Sequence, residues 1–388
     1  MKKACLILLA LVFTCSCATK PVTQMDEPPP LPELSIMPVK KDIKPLFGNL
    51  LKEVTISKTS FNPSQKEEIA LSFSLSKPAR VTVHVYDPDS DLINTIEENK
   101  EMQPGVNTVI WNGTDIAGNI VPDEAYFFTI TAKDESGKEE IYDPTTFSGG
   151  EEHDITTAHI DPQQYNINYS MPEMGRVMIR MGIQGGPLMN QLVDWKPRVK
   201  GAITEYWNGQ DKDNLLDIYN NPKFKMIVTY FSLPDNSVIA YGNKKIDFLE
   251  YKNNVVEKRL QKPVRPTSVL RRSHHYNILR TIDYCPEIKV EFANVKGTEG
   301  NGIPVIQGKT MVKVMLDEKD KIIFQNFQFE ICFFLDHKFY AEDETGYTPF
   351  NWVWDLSNVE EGEHLLTVNI SSFKDQIGMI SKKVKVVK

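Results

Sequence analysis

From about residue 50 onward, the chain consists of short segments in which hydrophobic residues occupy every second position. Apolar side chains fill alternate positions of 69–75 and 81–85, and further β-rich runs cover 106–111 and 126–131. A period of two is typical of strands with one buried face, and the Pro, Gly, Asn and Asp clusters between the runs are typical of turns. No long amphipathic helix is indicated. The pattern therefore predicts an all-β protein built from antiparallel sandwiches.

An internal repeat divides this β-rich region. Residues 71–83 align with 167–179, and the motif Trp-Asn-Gly-x-Asp at 111–115 recurs at 207–211, both at an offset of 96 residues. Two separate matches at one offset indicate a duplicated unit, and roughly 100 residues is the size of one immunoglobulin-type sandwich. The sequence therefore predicts two consecutive copies of one sandwich.

The first copy carries motifs of a known family. Its strand Arg80-Val-Thr-Val-His-Val-Tyr86-Asp87 is followed by Gly105, by Trp111-Asn-Gly-x-Asp115-x-x-Gly118 and by Tyr126. This order resembles the immunoglobulin-like domain of the flagellar hook-cap protein, related modules of which recur in many secreted bacterial proteins. The resemblance implies the fold and an exported protein. It does not extend to the assembly region of the hook-cap protein, so that activity is not implied.

The later sequence departs from this pattern. The second copy has Asn214 where the first has Gly118, and 217–222 reads as an insertion, so an irregular second hairpin is expected. A third series of strands begins near residue 286. There the run Trp352-Val-Trp354-Asp355, followed by Glu361-Gly362-Glu363-His364, resembles a different immunoglobulin-like module that is common on bacterial surfaces.

The N-terminus has the layout of an export signal. Lys2 and Lys3 precede an apolar run from Ala4 to Phe13, which is far shorter than the roughly 20 residues that span a bilayer as a helix. The following small and polar stretch resembles a lipoprotein cleavage site, which implies that Cys17 is acylated and becomes the new N-terminus. Acylation of Cys15, plain secretion and a retained membrane helix are the alternatives.

A proline-rich stretch follows Cys17, and such sequences favour extended conformations that act as semi-rigid tethers. The predicted organisation is a signal peptide at 1–16, the lipidated Cys17 with its tether at 17–48, a first sandwich at 50–145, its repeat at 155–250, a basic connector at 251–285 and a third sandwich at 286–388.

Charge separates the connector from the rest of the chain. The formal net charge of −8 becomes −10 when Lys2 and Lys3 are removed, which argues against nucleic acid as a partner. The connector is nevertheless strongly basic, and it either docks an anionic partner or pairs with acidic faces such as 342–344 and 360–363. Its candidate docking residues are Lys258, Arg259, Lys262, Arg265, Arg271, Arg272 and Arg280.

The two Trp-Asn-Gly-x-Asp motifs have two interpretations. Their oxygen-bearing side chains could surround calcium, although the full spacing of a calcium loop is missing. The favoured interpretation is structural, with the tryptophans in the sandwich cores, Asn-Gly forming a tight hairpin turn and the aspartates bonding local amides. The residues concerned are Trp111, Asn112, Gly113 and Asp115 in the first copy and Trp207, Asn208, Gly209 and Asp211 in the second.

Familiar catalytic and metal-binding signatures are missing from the sequence. It contains no nucleotide-binding glycine loop, hydrolase elbow or zinc-protease motif, and its histidines lack ligand spacing, so no catalytic residue, metal or cofactor is predicted. Beyond Cys17 the chain has Cys285 and Cys332, which either form a disulfide or remain free thiols.

These features predict a non-catalytic lipoprotein of the cell envelope, anchored in the outer membrane and acting as a binding, adhesion or assembly scaffold for another envelope protein or a surface polysaccharide. The alternative is a carbohydrate- or peptidoglycan-binding module with an exposed aromatic platform. The rings that would form this platform are Tyr340, Tyr347, Phe350 and Trp352. An envelope enzyme is the third hypothesis, and it requires a pocket in which ionisable residues converge.

Overall fold

The computed structural model describes residues 48–252, 280, 282–325, 327–372 and 376–388. These residues form three β-sandwiches, which confirms the predicted all-β class. The signal peptide, Cys17, the tether up to residue 47 and nearly all of the connector lie outside the described residues. No helix in the described part of the chain is long and apolar enough to cross a bilayer.

The first sandwich packs the three-stranded sheet β1-β3-β6 against a sheet in which β4 pairs with β5 and β7, and β7 pairs with β8. Side chains alternate between buried and accessible along β3, as the sequence pattern requires. Its strands are β1 (Leu51–Ile56), β2 (Ser60–Phe61), β3 (Ile69–Leu75), β4 (Ala79–Tyr86), β5 (Leu92–Met102), β6 (Gly105–Trp111), β7 (Glu124–Asp134) and β8 (Glu139–Tyr142).

The second sandwich repeats this plan with the sheets β10-β11-β14 and β13-β12-β15-β9. Residues at equivalent repeat positions fill its core, so that Ile167 and Trp207 are buried as Leu71 and Trp111 are. Its strands are β9 (Glu152–Asp154), β10 (His159–Asp161), β11 (Asn166–Met171), β12 (Gly175–Ile183), β13 (Leu188–Arg198), β14 (Gly201–Tyr206) and β15 (Phe224–Ser232).

The chain after β15 returns to the first sandwich. Strand β16 (Val238–Ala240) pairs antiparallel with β7 and parallel with β2, and the short helix α1 (Phe248–Tyr251) follows. The side chains of Val238, Ala240 and Tyr251 lie in the first core. The predicted end of the second sandwich at residue 250 is therefore wrong. Residues 238–251 belong to the first sandwich, because β16 pairs with the open edge of β7. Strand periodicity does not reveal which sheet edge a strand joins.

The third sandwich packs β17-β20-β23 against the six-stranded sheet β18-β19-β25-β24-β21-β22, in which β19 and β25 are parallel. Trp354 is fully buried in its core. Its elements are β17 (Ile288–Ala293), β18 (Gly297–Glu299), β19 (Ile303–Gln307), β20 (Lys309–Leu316), α2 (Glu318–Phe324), β21 (Phe329–Leu335), β22 (Lys338–Asp343), β23 (Phe350–Asp355), β24 (Gly362–Ser372) and β25 (Ile377–Val387).

A buried ion pair joins the first two sandwiches. Arg176 on β12 places Nη2 2.9 Å from Oε1 of Glu124 on β7, and both side chains are 4% exposed. The guanidinium also lies 5.8 Å from the ring centroid of Phe231, which is within cation–π range. Removal of one partner from a buried pair leaves an uncompensated charge, so this contact makes separation of the two sandwiches costly.

We expect Arg176→Leu to lower the free energy of unfolding by about 3–5 kcal/mol, because Glu124 remains buried without its ion partner. Urea unfolding followed by tryptophan fluorescence measures this loss. Arg80→Leu is the matched control, since Arg80 holds the equivalent repeat position but is exposed, and it should cost less than about 0.5 kcal/mol. Equal losses in the two variants would contradict the role given to the buried pair.

Candidate functional site at the sandwich junctions

The motif of the first copy closes its own loop. Trp111 is buried and its indole Nε1 donates to the carbonyl oxygen of Thr114 at 3.0 Å. Oδ1 of Asp115 accepts from the amides of Ala117 and Asn119, both at 2.9 Å. The carboxylate thus stabilises the turn by bonding successive backbone amides.

The second copy repeats these bonds. Trp207 donates to the carbonyl oxygen of Gln210 at 2.9 Å, and Oδ1 of Asp211 accepts from the amides of Leu215 and Leu216 at 2.7 and 2.8 Å. Within the described residues, no group of three or more His, Cys, Asp or Glu side chains is arranged to hold a metal ion. The geometry of both motifs is that of a turn.

The Asn-Gly pairs differ from the expected tight hairpin. Only the glycines, Gly113 and Gly209, have positive φ, at 74° and 83°, whereas that hairpin turn requires positive φ at both residues. The Oδ1 of Asn112 instead accepts from the amide of Thr114 at 3.2 Å. A Cβ on Gly113 would lie 2.4 Å from Pro63, so close packing also requires glycine there.

The two remaining cysteines do not form the disulfide that was one expectation. Both are free thiols, so the alternative interpretation holds. The Sγ of Cys285 lies 3.0 Å from the carbonyl oxygen of Ile377, and Cys332 is buried on β21. Burial raises the pKa of each thiol to about 12, with nearby carboxylates adding to the shift. Neither cysteine is poised to act as a thiolate nucleophile.

An acidic loop after β4 encloses an ammonium group. Nζ of Lys252 lies 2.7 Å from Asp87, 2.6 Å from Asp91 and 3.4 Å from Asp89. Burial and the two neighbouring aspartates raise the pKa of Asp87 to about 7 despite Lys252. Burial lowers the pKa of Lys252, but the carboxylates outweigh it and leave that pKa raised. One cation thus faces three carboxylates, which cannot all ionise without repulsion.

Two described residues of the basic connector, Lys252 and Arg280, bind this acidic loop. Lys252 binds it through its side chain, and Arg280 donates its backbone amide to Oδ1 of Asp89. The Arg280 guanidinium donates to the carbonyl oxygens of Asp283 and Asp194 at 2.8 and 2.9 Å. Arg280 therefore joins the first two sandwiches, and its role as a partner-docking residue stays a prediction. The other six docking candidates, from Lys258 to Arg272, lie outside the described residues.

A cleft of about 80 Å³ lies between the second and third sandwiches. Its second-sandwich wall comes from the outer face of β12 and β15, and its third-sandwich wall comes from the outer face of β21 and β24. We call it the interdomain cleft and define it by Arg180, Lys225, Ile227, Glu330, Phe334 and Ile377.

An asparagine clamp holds the two walls of the interdomain cleft together. Nδ2 of Asn369 donates to the carbonyl oxygen of Leu188, and the Leu188 amide donates to Oδ1 of Asn369, both at 2.9 Å. The side-chain amide of Asn369 thus makes the two hydrogen bonds to Leu188 that the backbone of a neighbouring strand would make. Two residues before Leu188, a Cβ on Gly186 would lie 2.5 Å from the carbonyl oxygen of His337, so the backbones approach closely there.

Charge is distributed unequally between the walls of the interdomain cleft. The second-sandwich wall carries Arg180 and Lys225, which lie diagonally on adjacent strands. The third-sandwich wall carries Glu330, whose pKa is raised by burial and then by Glu342 and Glu344. Two cationic side chains on one wall thus lie across from a single carboxyl group on the other, beside an apolar interior.

The rings proposed as an aromatic platform are partly accessible. Tyr347 is 53% and Tyr340 37% exposed, whereas Phe350 and Trp352 are half-buried. The Trp352 ring lies 4.2 Å from the Phe333 centroid and stacks on Trp354 at 5.4 Å. Its faces are therefore engaged with the core, and the tyrosines present the accessible aromatic surface.

Comparison with known proteins found a family model that matches the first sandwich. The family model of the FlgD Ig-like domain matches residues 57–136, which confirms the resemblance to the hook-cap module. The structure of FlgD from P. aeruginosa is 24% identical over 24% of this chain and 66% of that chain, with a TM-score of 0.20. No curated protein matches the sequence.

Two further solved structures align over most of the chain. The fibronectin(III)-like modules of CbhA from Clostridium thermocellum are 11% identical over 86% of this chain and 94% of that chain, with a TM-score of 0.19. A tetra-tandem repeat from the extending region of a large adhesion protein is 11% identical over 87% of this chain and 74% of that chain, with a TM-score of 0.18. None of these likenesses assigns a ligand or partner to this chain.

The acidic loop predicts a dependence of stability on pH. Since the folded pKa of Asp87 is about 7 and the ordinary value is 3.8, the unfolded chain releases this proton first as the pH rises. Stability contributed by Asp87 is therefore lost between about pH 4 and pH 7. Asp87→Asn should therefore lower the free energy of unfolding by more at pH 5 than at pH 8. The difference, measured by urea unfolding, should be on the order of 2 kcal/mol. Glu135→Gln, at an exposed carboxylate, should show no such difference.

Loss of the asparagine clamp should loosen the junction of the second and third sandwiches. Asn369→Ala leaves the Leu188 amide and carbonyl buried without partners, at a cost of about 1–3 kcal/mol. Hydrogen–deuterium exchange should become faster at the start of β13 and remain unchanged in the first sandwich. Asn351→Ala, on an exposed position of β23, is the control. Unchanged exchange at Leu188 would contradict the clamp.

Proposed function

We propose that this protein is a non-catalytic lipoprotein of the cell envelope that serves as a binding and assembly scaffold. The observation that carries the proposal is the set of buried polar contacts between successive sandwiches, Arg176 with Glu124 and Asn369 with Leu188. Such contacts hold neighbouring modules in a fixed relation, which suits a scaffold that presents its loops and clefts at set positions. A membrane anchor at Cys17 would place this array next to the outer membrane.

Anionic surfaces are the partners that the connector favours. Residues Lys258 to Arg272 include six cationic side chains, in a chain whose net charge is −8. Lys252 and Arg280, the described residues on either side of this segment, both bind the acidic loop of the first sandwich. We propose that the segment docks an acidic envelope protein or an anionic headgroup, since local positive charge attracts such partners.

Carbohydrate recognition is the second candidate function. The exposed rings of Tyr340 and Tyr347 favour it, because aromatic surfaces with polar tips suit such contacts. If this function is correct, Tyr347→Ala will abolish retention of purified peptidoglycan or surface polysaccharide, whereas Tyr165→Ala, at an equally exposed tyrosine, will not.

We expect Cys17→Ser to abolish acylation and release the protein from the membrane fraction, because the acylated residue is the proposed anchor. Mass spectrometry of the N-terminus together with membrane fractionation tests this. Cys15→Ser is the matched control and should remain acylated and membrane-bound. An acyl group on Cys15, or none in the native protein, would contradict the assignment to Cys17.

Affinity purification of the tagged protein from detergent-solubilised membranes tests the scaffold role. A stoichiometric envelope protein in the eluate supports it. Replacement of the six connector cations by Gln should then weaken the association with that protein and make the association less dependent on salt concentration. Polysaccharide in place of protein would move the assignment to carbohydrate recognition.

A further inference from the structure

The interdomain cleft has the dimensions of a site for a short apolar group. Its volume of about 80 Å³ exceeds the roughly 10–15 Å³ that holds one water molecule, but is far too small for a long acyl chain. Ile227, Phe334 and Ile377 supply apolar surface from both walls. Because the clamp of Asn369 on Leu188 joins the walls directly, the space between them is part of the folded structure.

The polar groups of the cleft narrow the choice of ligand. Lys225 lies on one wall together with Arg180, whose Nε donates to Oε1 of Gln191 at 3.0 Å, and cationic side chains bind carboxylates through charge-assisted hydrogen bonds. Glu330 and the hydroxyl-bearing Ser371 lie on the opposite wall, where they can accept from an N–H group. The complementary ligand therefore has a carboxylate, an N–H donor and an apolar side group close together.

We infer that the interdomain cleft binds the free carboxy-terminal residue of a polypeptide whose last side chain is apolar. The terminal carboxylate pairs with Lys225 and Arg180, the last amide N–H faces Glu330, and the side chain packs between Ile227 and Phe334. This inference specifies a partner class for the proposed scaffold and rests on that function. It concerns a different surface from the basic connector.

Binding is measured by fluorescence anisotropy on the full-length protein in detergent, with fluorescein-labelled Gly-Gly-Leu, Gly-Gly-Val and Gly-Gly-Phe as free acids and as terminal amides. The acids should bind at least about tenfold more tightly than the amides, because the amides lack the charge that Lys225 and Arg180 bind. Lys225→Met should remove this preference. Lys223→Met, two residues away and exposed, should retain it.

Two further measurements distinguish binding in the interdomain cleft from binding elsewhere on the protein and from binding of any carboxylate. Ser371→Phe, which fills the cleft, should abolish binding of all three acids while thermal unfolding shows that the protein remains folded. Acetate should compete far less well than N-acetyl-leucine. Equal binding of acids and amides, absence of binding at about 10 mM peptide, or equal competition by acetate would each overturn the inference. Acylation at Cys17 and co-purification of partners through the connector would be unaffected by these outcomes.

Discussion

The burial of charged and amide groups between sheets is the constraint on which the architecture depends. An immunoglobulin-like sandwich normally exposes the outer faces of its sheets, yet here those faces meet a neighbouring module. Polar groups buried in this way must find partners, because an unpaired one costs more than its bond contributes. Glu124 meets Arg176 across the first junction, and Asn369 meets Leu188 across the second. The modules are consequently joined through specific contacts at both junctions.

The repeat shows how one motif acquires different tasks. Arg80 and Arg176 hold equivalent positions, but only Arg176 is buried against another sandwich. In the turn of the second copy, Lys212 donates to Glu287, and Asp213 accepts from the Ser381 amide at 2.6 Å. Ile116 and Ala117 stand at those positions in the first copy, so only the second turn docks the third sandwich through side-chain polar bonds.

The interdomain cleft follows from the way the second junction is closed. Contact is made at Leu188 and at Gly186, where the missing side chain lets the backbone approach His337. Beside these contacts, Arg180 and Lys225 on one wall and Glu330 and Ser371 on the other line the cleft. The asymmetry of charge between the two walls is the feature on which the inferred binding of a terminal carboxylate rests.

Period-two alternation determined the strands, and the repeat determined the duplicated sandwich, because both patterns reflect burial within one module. The turn roles of Asp115 and Asp211 were also readable locally, since their partners lie within five residues. Tertiary structure alone decided that 238–251 joins the first sandwich, that Cys285 and Cys332 remain free thiols, and that Arg280 hydrogen-bonds across to the second sandwich. Each depends on partners many residues away, and no local pattern records which distant surface a strand edge, thiol or guanidinium will meet.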